Sequence, residues 1–150
     1  MIPVLAVITT TVLGLMVGVE IAVAFVINPV ILRLPAGASL AARADGGRML
    51  GRAMPFWYIG SLVFTVGLAV IAWGTLITTL ALISAGLLAV SVIMSVLLLV
   101  PINNRSLTWT ADDHPENWRE QFQRWDRLHY VRLAIILAAF VLIAVAATEL

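Results

Sequence analysis

The chain contains no cysteine and no lysine, and only 11% of its 150 residues are charged. Without cysteine there is no disulfide framework, no thiolate nucleophile and no thiolate zinc site. A water-soluble domain needs about a quarter of its residues charged to cover its surface, and this chain has less than half that share. Nine arginines against eight acids leave a formal charge of +1. That near-balance excludes the broad basic face with which proteins grip nucleic acid. What is abundant is apolar side chain, 62% of the total. These proportions describe a single integral membrane domain whose first partners are lipids.

Four stretches are apolar for long enough to cross a hydrocarbon layer, which takes about 20 helical residues. They run from about 3 to 32, 55 to 73, 76 to 100 and 131 to 147. Open strands cannot cross lipid with their edge groups unpaired, so the spans must be helices. The fold expected is all-α, an antiparallel four-helix transmembrane bundle with its last helix extended into the cytoplasm. The first span does not read as a signal peptide, because it has no basic n-region, is too long, and carries Glu20.

Orientation follows from the arginines. Arg33, Arg43, Arg48 and Arg52 lie between the first two spans, and Arg105, Arg119, Arg124, Arg127 and Arg132 lie between or beside the last two. The positive-inside rule places loops 33–54 and 101–130 in the cytoplasm of a plasma or inner membrane, with both termini outside. The first loop reads as turns around a short interfacial helix, from Leu34-Pro35 and Asp45-Gly46-Gly47. The second reads as a helix start, with Asp113 as cap, Pro115 in the first turn and Glu116 completing a capping box. One last helix of roughly 35 residues is expected from there.

Small residues mark where helices in lipid approach. Gly14, Gly18 and Ala22 form a ridge on the first span, Gly60, Gly67 and Gly74 recur on the second, and Ser84, Ser91 and Ser95 share a face of the third. Most such residues only permit packing, and a homodimer through Gly14/Gly18 is one further use of the ridge. A tight turn is expected at Trp73-Gly74-Thr75.

With this topology, polar residues distant in sequence become level at the cytoplasmic mouth. Asn28 ends the first span; Arg52, Met54 and Trp57 open the second; Asn103, Asn104 and Arg105 close the third; His129 and Arg132 open the fourth. Trp118, Phe122, Trp125, His129, Arg132 and Ile136 alternate in steps of four and three, so they share one helix face. Arg119, Glu120, Gln123, Arg124 and Arg127 lie off it, as expected of a solvated side. The aromatics are explained either by interfacial packing or by an aromatic-walled pocket. His129 is the one base here whose ordinary pKa lies near neutrality. Arg132 and Glu20 stand inside spans, where a lone charge costs on the order of 2.5–3.5 kcal/mol. They are expected to pair, to snorkel, or to bind something anionic. Asn103 and Asn104 would either satisfy carbonyls at the end of the third helix or donate to a bound oxygen. No metal site is expected. His114 and His129 would lie about 22 Å apart on one helix, which leaves open only a single-histidine haem or metal on His129, or His129 together with Glu20.

The order Asn28-Pro29, Arg52-Ala53-Met54-Pro55, Pro101-x-Asn103-Asn104-Arg105 and Trp125-x-x-x-His129-x-x-Arg132 resembles the small four-helix membrane family that includes fungal anthrone oxygenases. The resemblance covers nearly the whole chain. It implies a four-helix membrane fold and, for some members, oxidation of an anthrone methylene to a quinone carbonyl by molecular oxygen. The family's signatures fall on Pro101, Asn103, Trp125, His129 and Arg132; Glu20 has no assigned place among them.

The resulting expectation is a membrane-embedded oxygenase for a lipophilic aromatic or phenolic substrate, with molecular oxygen as co-substrate and no other cofactor. His129 would be the base, and Arg132 with Asn103 would stabilise the oxyanion. Trp125 and Trp118 would stack on the substrate, with Asn104, Asn28, Arg52, Trp57 and Glu20 completing its site. The rival from another class is a non-enzymatic accessory subunit or lipophile-binding protein. Transport is disfavoured, since no pair of broken mid-span helices is evident.

Overall fold

The computed structural model describes residues 1–149. Four helices are long and apolar enough to cross a membrane: α1 (Ile2–Leu32), α2 (Ala36–Ile71), α3 (Leu76–Ser106) and α4 (Trp118–Ala146). The protein is therefore an all-α integral membrane protein. α1 packs on α2 and α4, and α3 packs on the same two helices. The four form a ring in chain order, the up-and-down bundle that short connections favour.

The turn between α2 and α3 sits at Trp73-Gly74-Thr75, as the sequence predicts. Gly74 has φ 84°, a left-handed conformation that costs an ordinary residue roughly 1–2 kcal/mol. The hydroxyls of Thr75 and Thr78 both donate to the Ala72 carbonyl, at 2.7 and 2.6 Å, and so cap the end of α2. Some other inward hydroxyls bind carbonyls of neighbouring helices. Ser84 Oγ donates to the Ala139 carbonyl at 2.9 Å and ties α3 to α4. Contacts of this kind matter in lipid, where no hydrophobic difference drives helices together. Gly14 serves the same end: a Cβ there would lie 3.1 Å from the Phe140 ring. Half of the ridge expected to serve a homodimer is thus closed against the chain's own α4, and only Gly18 is open.

Three sequence expectations are corrected. Segment 33–54 is not a loop around a short helix. From Ala36 onward it belongs to α2, a single helix of 36 residues and about 54 Å. Alanines from 36 to 44 favour helix, and the Gly46-Gly47 pair is tolerated because α3 packs onto it. A Cβ on Gly47 would meet Asn103 Oδ1 at 2.8 Å. Pro55 removes one helical hydrogen bond without ending α2. α3 likewise passes Pro101 and ends at Ser106. α1 and α3 each widen into a π segment, Val23–Ile27 before Pro29 and Ser95–Leu99 before Pro101. A proline ring crowds the carbonyl four residues back and offers no N–H, and a wider turn relieves both defects.

The third correction concerns α4, which begins at Trp118 without the expected capping box and spans 29 residues. Asp113 is engaged elsewhere. Its carbonyl accepts from the Thr110 N–H at 2.9 Å and its N–H donates to Thr110 Oγ1 at 3.0 Å, closing a turn. Asn117 flanks the helix start, and its Oδ1 accepts from Gln121 Nε2 at 3.0 Å.

The apolar core falls into two parts. A large cluster around Leu13, Met16, Leu68, Leu88, Ile136 and Ile143 fills the end near the chain termini. A small one, Leu40 with Trp118 and Phe122, joins the starts of α2 and α4. The polar residues lie between them.

Candidate functional site

A cavity of about 390 Å³ opens between the two clusters, walled by all four helices. That size suits a small molecule, whose sites run from about 300 to 1,000 Å³. Most of the wall is apolar: Val19, Val23, Ile27, Leu50, Met54 and Leu99 contribute. Its rim includes Ile59, Val96 and Val100, which are 58%, 59% and 43% exposed on the outer faces of α2 and α3. The entrance is therefore a groove between those helices, within the apolar belt.

One polar group in the wall is built around Glu20 on α1. Its Oε2 accepts from Arg132 Nη2 at 2.8 Å, and its Oε1 accepts from the Tyr58 hydroxyl at 2.8 Å. Arg132 Nη1 donates to Ser95 Oγ at 3.0 Å, so α1, α2, α3 and α4 meet here. His129 lies one turn back on α4. Its Nε2 is 3.1 Å from the Glu20 carbonyl, which can only accept, and its Nδ1 is 2.9 Å from Arg132 Nη2, which can only donate. The Glu20 carbonyl calls for a proton on Nε2, and Nδ1 also lies 3.4 Å from Glu20 Oε2. The imidazole is fully buried and stacked beneath Trp125, ring centroids 4.9 Å apart.

A second polar group faces the cavity from α1 and α2 and is anchored by Asp126 on α4. Arg43 Nη2 donates to Asp126 Oδ1 at 2.6 Å, and Asn28 Nδ2 donates to the same oxygen at 2.9 Å. The Arg43 guanidinium covers the rings of Trp125 and Phe122, 4.7 and 4.8 Å from their centroids. Both ionic groups are buried, and each arginine has its carboxylate, as burial of charge requires.

Of the residues singled out in the sequence, Glu20, Asn28, Asn103, Trp125 and Arg132 line the cavity. His129 stands behind that wall, because Trp125 and Arg132 cover it. Trp118 is buried in the small apolar cluster, and Trp57 donates its indole N–H to the Val12 carbonyl at 3.0 Å; both serve packing. Asn104 lies on a separate surface hollow beside Trp109, and Arg52 is exposed. Four residues went unselected: Tyr58, Ser95, Arg43 and Asp126. Asp126 was readable from its step of three to His129. Arg43 was hidden because its segment reads as a loop.

Among the described residues no cluster of three or more His, Asp or Glu could hold a metal ion. Both His129 nitrogens are hydrogen-bonded, so ligation of a haem iron there would break one of those bonds.

The family model described as anthrone oxygenase matches residues 49–142, more than half of the chain. The chain belongs to the anthrone oxygenase family. No curated protein and no solved structure matched it. The match contains Tyr58, Ser95, Asn103, Trp125, Asp126, His129 and Arg132, whereas Glu20, Asn28 and Arg43 precede it. The cavity of this anthrone oxygenase family member is thus completed by residues outside the matched segment.

Proposed function

We propose that this protein is a membrane-embedded oxygenase for a lipophilic aromatic or phenolic substrate of the anthrone type, with molecular oxygen as co-substrate. The observation that carries the reading is Glu20, among the described residues the one carboxylate lining a mostly apolar cavity that opens toward lipid. Family membership supports the reaction class, and the groove between α2 and α3 supports entry from the bilayer.

The base in this mechanism is Glu20 rather than His129, since Glu20 faces the cavity and the imidazole does not. Glu20 takes a proton from the ring methylene, and the C–H electron pair passes into the aromatic system. The carbanion adds dioxygen, forming a C–O bond and a peroxide that takes up a proton. Loss of water from the hydroperoxide leaves a carbonyl, so CH₂ and O₂ become C=O and H₂O. Arg132 holds Glu20 in place and supplies positive charge near the developing peroxide. His129 positions Arg132 and buttresses Trp125. Asn103 is an amide donor on the same wall.

By the positive-inside rule the arginine-rich end faces the cytoplasm and both termini lie outside. The decisive experiment supplies a three-ring anthrone and heavy-oxygen dioxygen to the protein purified in lipid nanodiscs. One labelled atom in the product carbonyl and the other in water supports the reading. Tight binding of the anthrone with no oxygen consumed favours a lipophile-binding protein instead.

A further inference from the structure

Four buried side-chain polar atoms have no hydrogen-bond partner among the described residues: Ser39 Oγ, Arg43 Nη1, Trp125 Nε1 and Arg132 Nε. Three of the four belong to residues lining the cavity. All three are N–H donors and none can accept. Buried donors left unpaired are costly, so a molecule bringing oxygen acceptors would complete this wall. Arg43 is the sharpest case, because its side chain is only 8% exposed. Its second nitrogen, Nη2, already neutralises Asp126. Its Nη1 is therefore a strong donor in a pair with no net charge, which suits a carbonyl or phenol oxygen better than a permanent anion.

We propose that Arg43 and Trp125 form a second binding site within the cavity, one that grips a ring oxygen of the ligand while the reacting carbon faces Glu20. The two donors are neighbours: the Arg43 guanidinium carbon is 4.7 Å from the Trp125 ring centroid. Arg132 lies 6.0 Å from that same centroid, so a ligand in the cavity at the exposed edge of Trp125 lies near both polar groups. This assignment rests on the oxygenase reading and adds a chemical consequence to it. When the ring methylene loses its proton to Glu20, the freed electron pair delocalises onto a conjugated ring oxygen. Arg43 Nη1 and Trp125 Nε1 are the donors placed to hold that oxygen. The ligand class follows: a fused aromatic with an oxygen conjugated to the reacting carbon, not a bare hydrocarbon.

The test compares binding of anthraquinone and anthracene, equal in ring shape but with and without oxygen, to the protein in nanodiscs by filtration. The wild type is expected to prefer anthraquinone. Trp125→Phe keeps an aromatic ring against His129 and removes the N–H, along with part of the indole's bulk, which the anthracene control reads. Arg43→Lys keeps the charge opposite Asp126 and removes the forked second donor. Each is expected to cut the preference about 3- to 10-fold, as one hydrogen bond is worth, with anthracene binding unchanged. Equal binding of the two ligands by the wild type, or an unaltered preference in both variants, overturns the proposal. Turnover of an anthrone is measured separately in the same preparations. Preference without turnover defeats the oxygenase reading alone, and turnover with a preference indifferent to both variants defeats the second site alone.

Discussion

At the residue scale the molecule is organised by two buried ion pairs, Glu20–Arg132 and Arg43–Asp126, each with added hydrogen bonds. Removing one partner strands a charge, which costs about 3–5 kcal/mol. Arg132→Met is therefore expected to lower thermal stability sharply in detergent, and adding Glu20→Gln to it should recover much of the loss. A double variant no more stable than Arg132→Met would show that the pair is not coupled. The sequence made the first pair readable, since two charges inside spans have few ways to be satisfied. It did not make the second readable: Asp126 and Arg43 fall in stretches that read as solvated.

At the element scale, proline placement decides more than the hydropathy pattern does. Pro29 and Pro101 each follow a π segment, and Ser95 opens the one on α3. A π turn shifts the helical register, so it sets the angle between Ser95 at its start, which meets Arg132, and Asn103 beyond it, which lines the cavity. Pro101→Ala restores a donor and permits an ordinary α-helix. Stability is expected to hold within about 1 kcal/mol or rise, while oxygen-uptake activity falls at least about tenfold through misplacement of the site. Calorimetry and an oxygen electrode on the same preparation check both halves. The spans themselves were legible because lipid imposes long apolar helices on any chain that crosses it. The continuation of α2 through 36–54 was not. Pro35 does mark the turn before α2, but Gly46-Gly47 and Pro55 are turn signals that the fold overrides, the glycines where Asn103 and Leu107 pack onto Gly47.

The whole molecule is a ring of helices whose core is interrupted, leaving a lipid-facing hollow with charged groups in its wall. The stripe Trp118, Phe122, Trp125, His129, Arg132 and Ile136 does face inward, as its spacing predicts, with buried or half-buried members throughout. What spacing alone cannot separate is which members reach the cavity and which sit behind them; Trp125 covers His129 by stacking, a tertiary fact. The lack of cysteine offers a direct test of orientation. Single cysteines at Ala111 and Thr148 should react differently with a membrane-impermeant thiol reagent added to intact cells. Thr148→Cys is expected to label and Ala111→Cys only after lysis; the reverse pattern inverts the proposed topology.

The central claim is that the carboxylate, not the imidazole, meets the substrate. Oxygen uptake with an anthrone measures it most directly in three proteins: wild type, Glu20→Gln and His129→Gln. The glutamine at 129 can still donate to the Glu20 carbonyl and accept from Arg132. The account predicts a loss of about 10²–10⁴-fold in Glu20→Gln, the usual worth of a general base, and a loss of about tenfold or less in His129→Gln. Full activity in Glu20→Gln, or inactivity confined to His129→Gln in a folded protein, would contradict it.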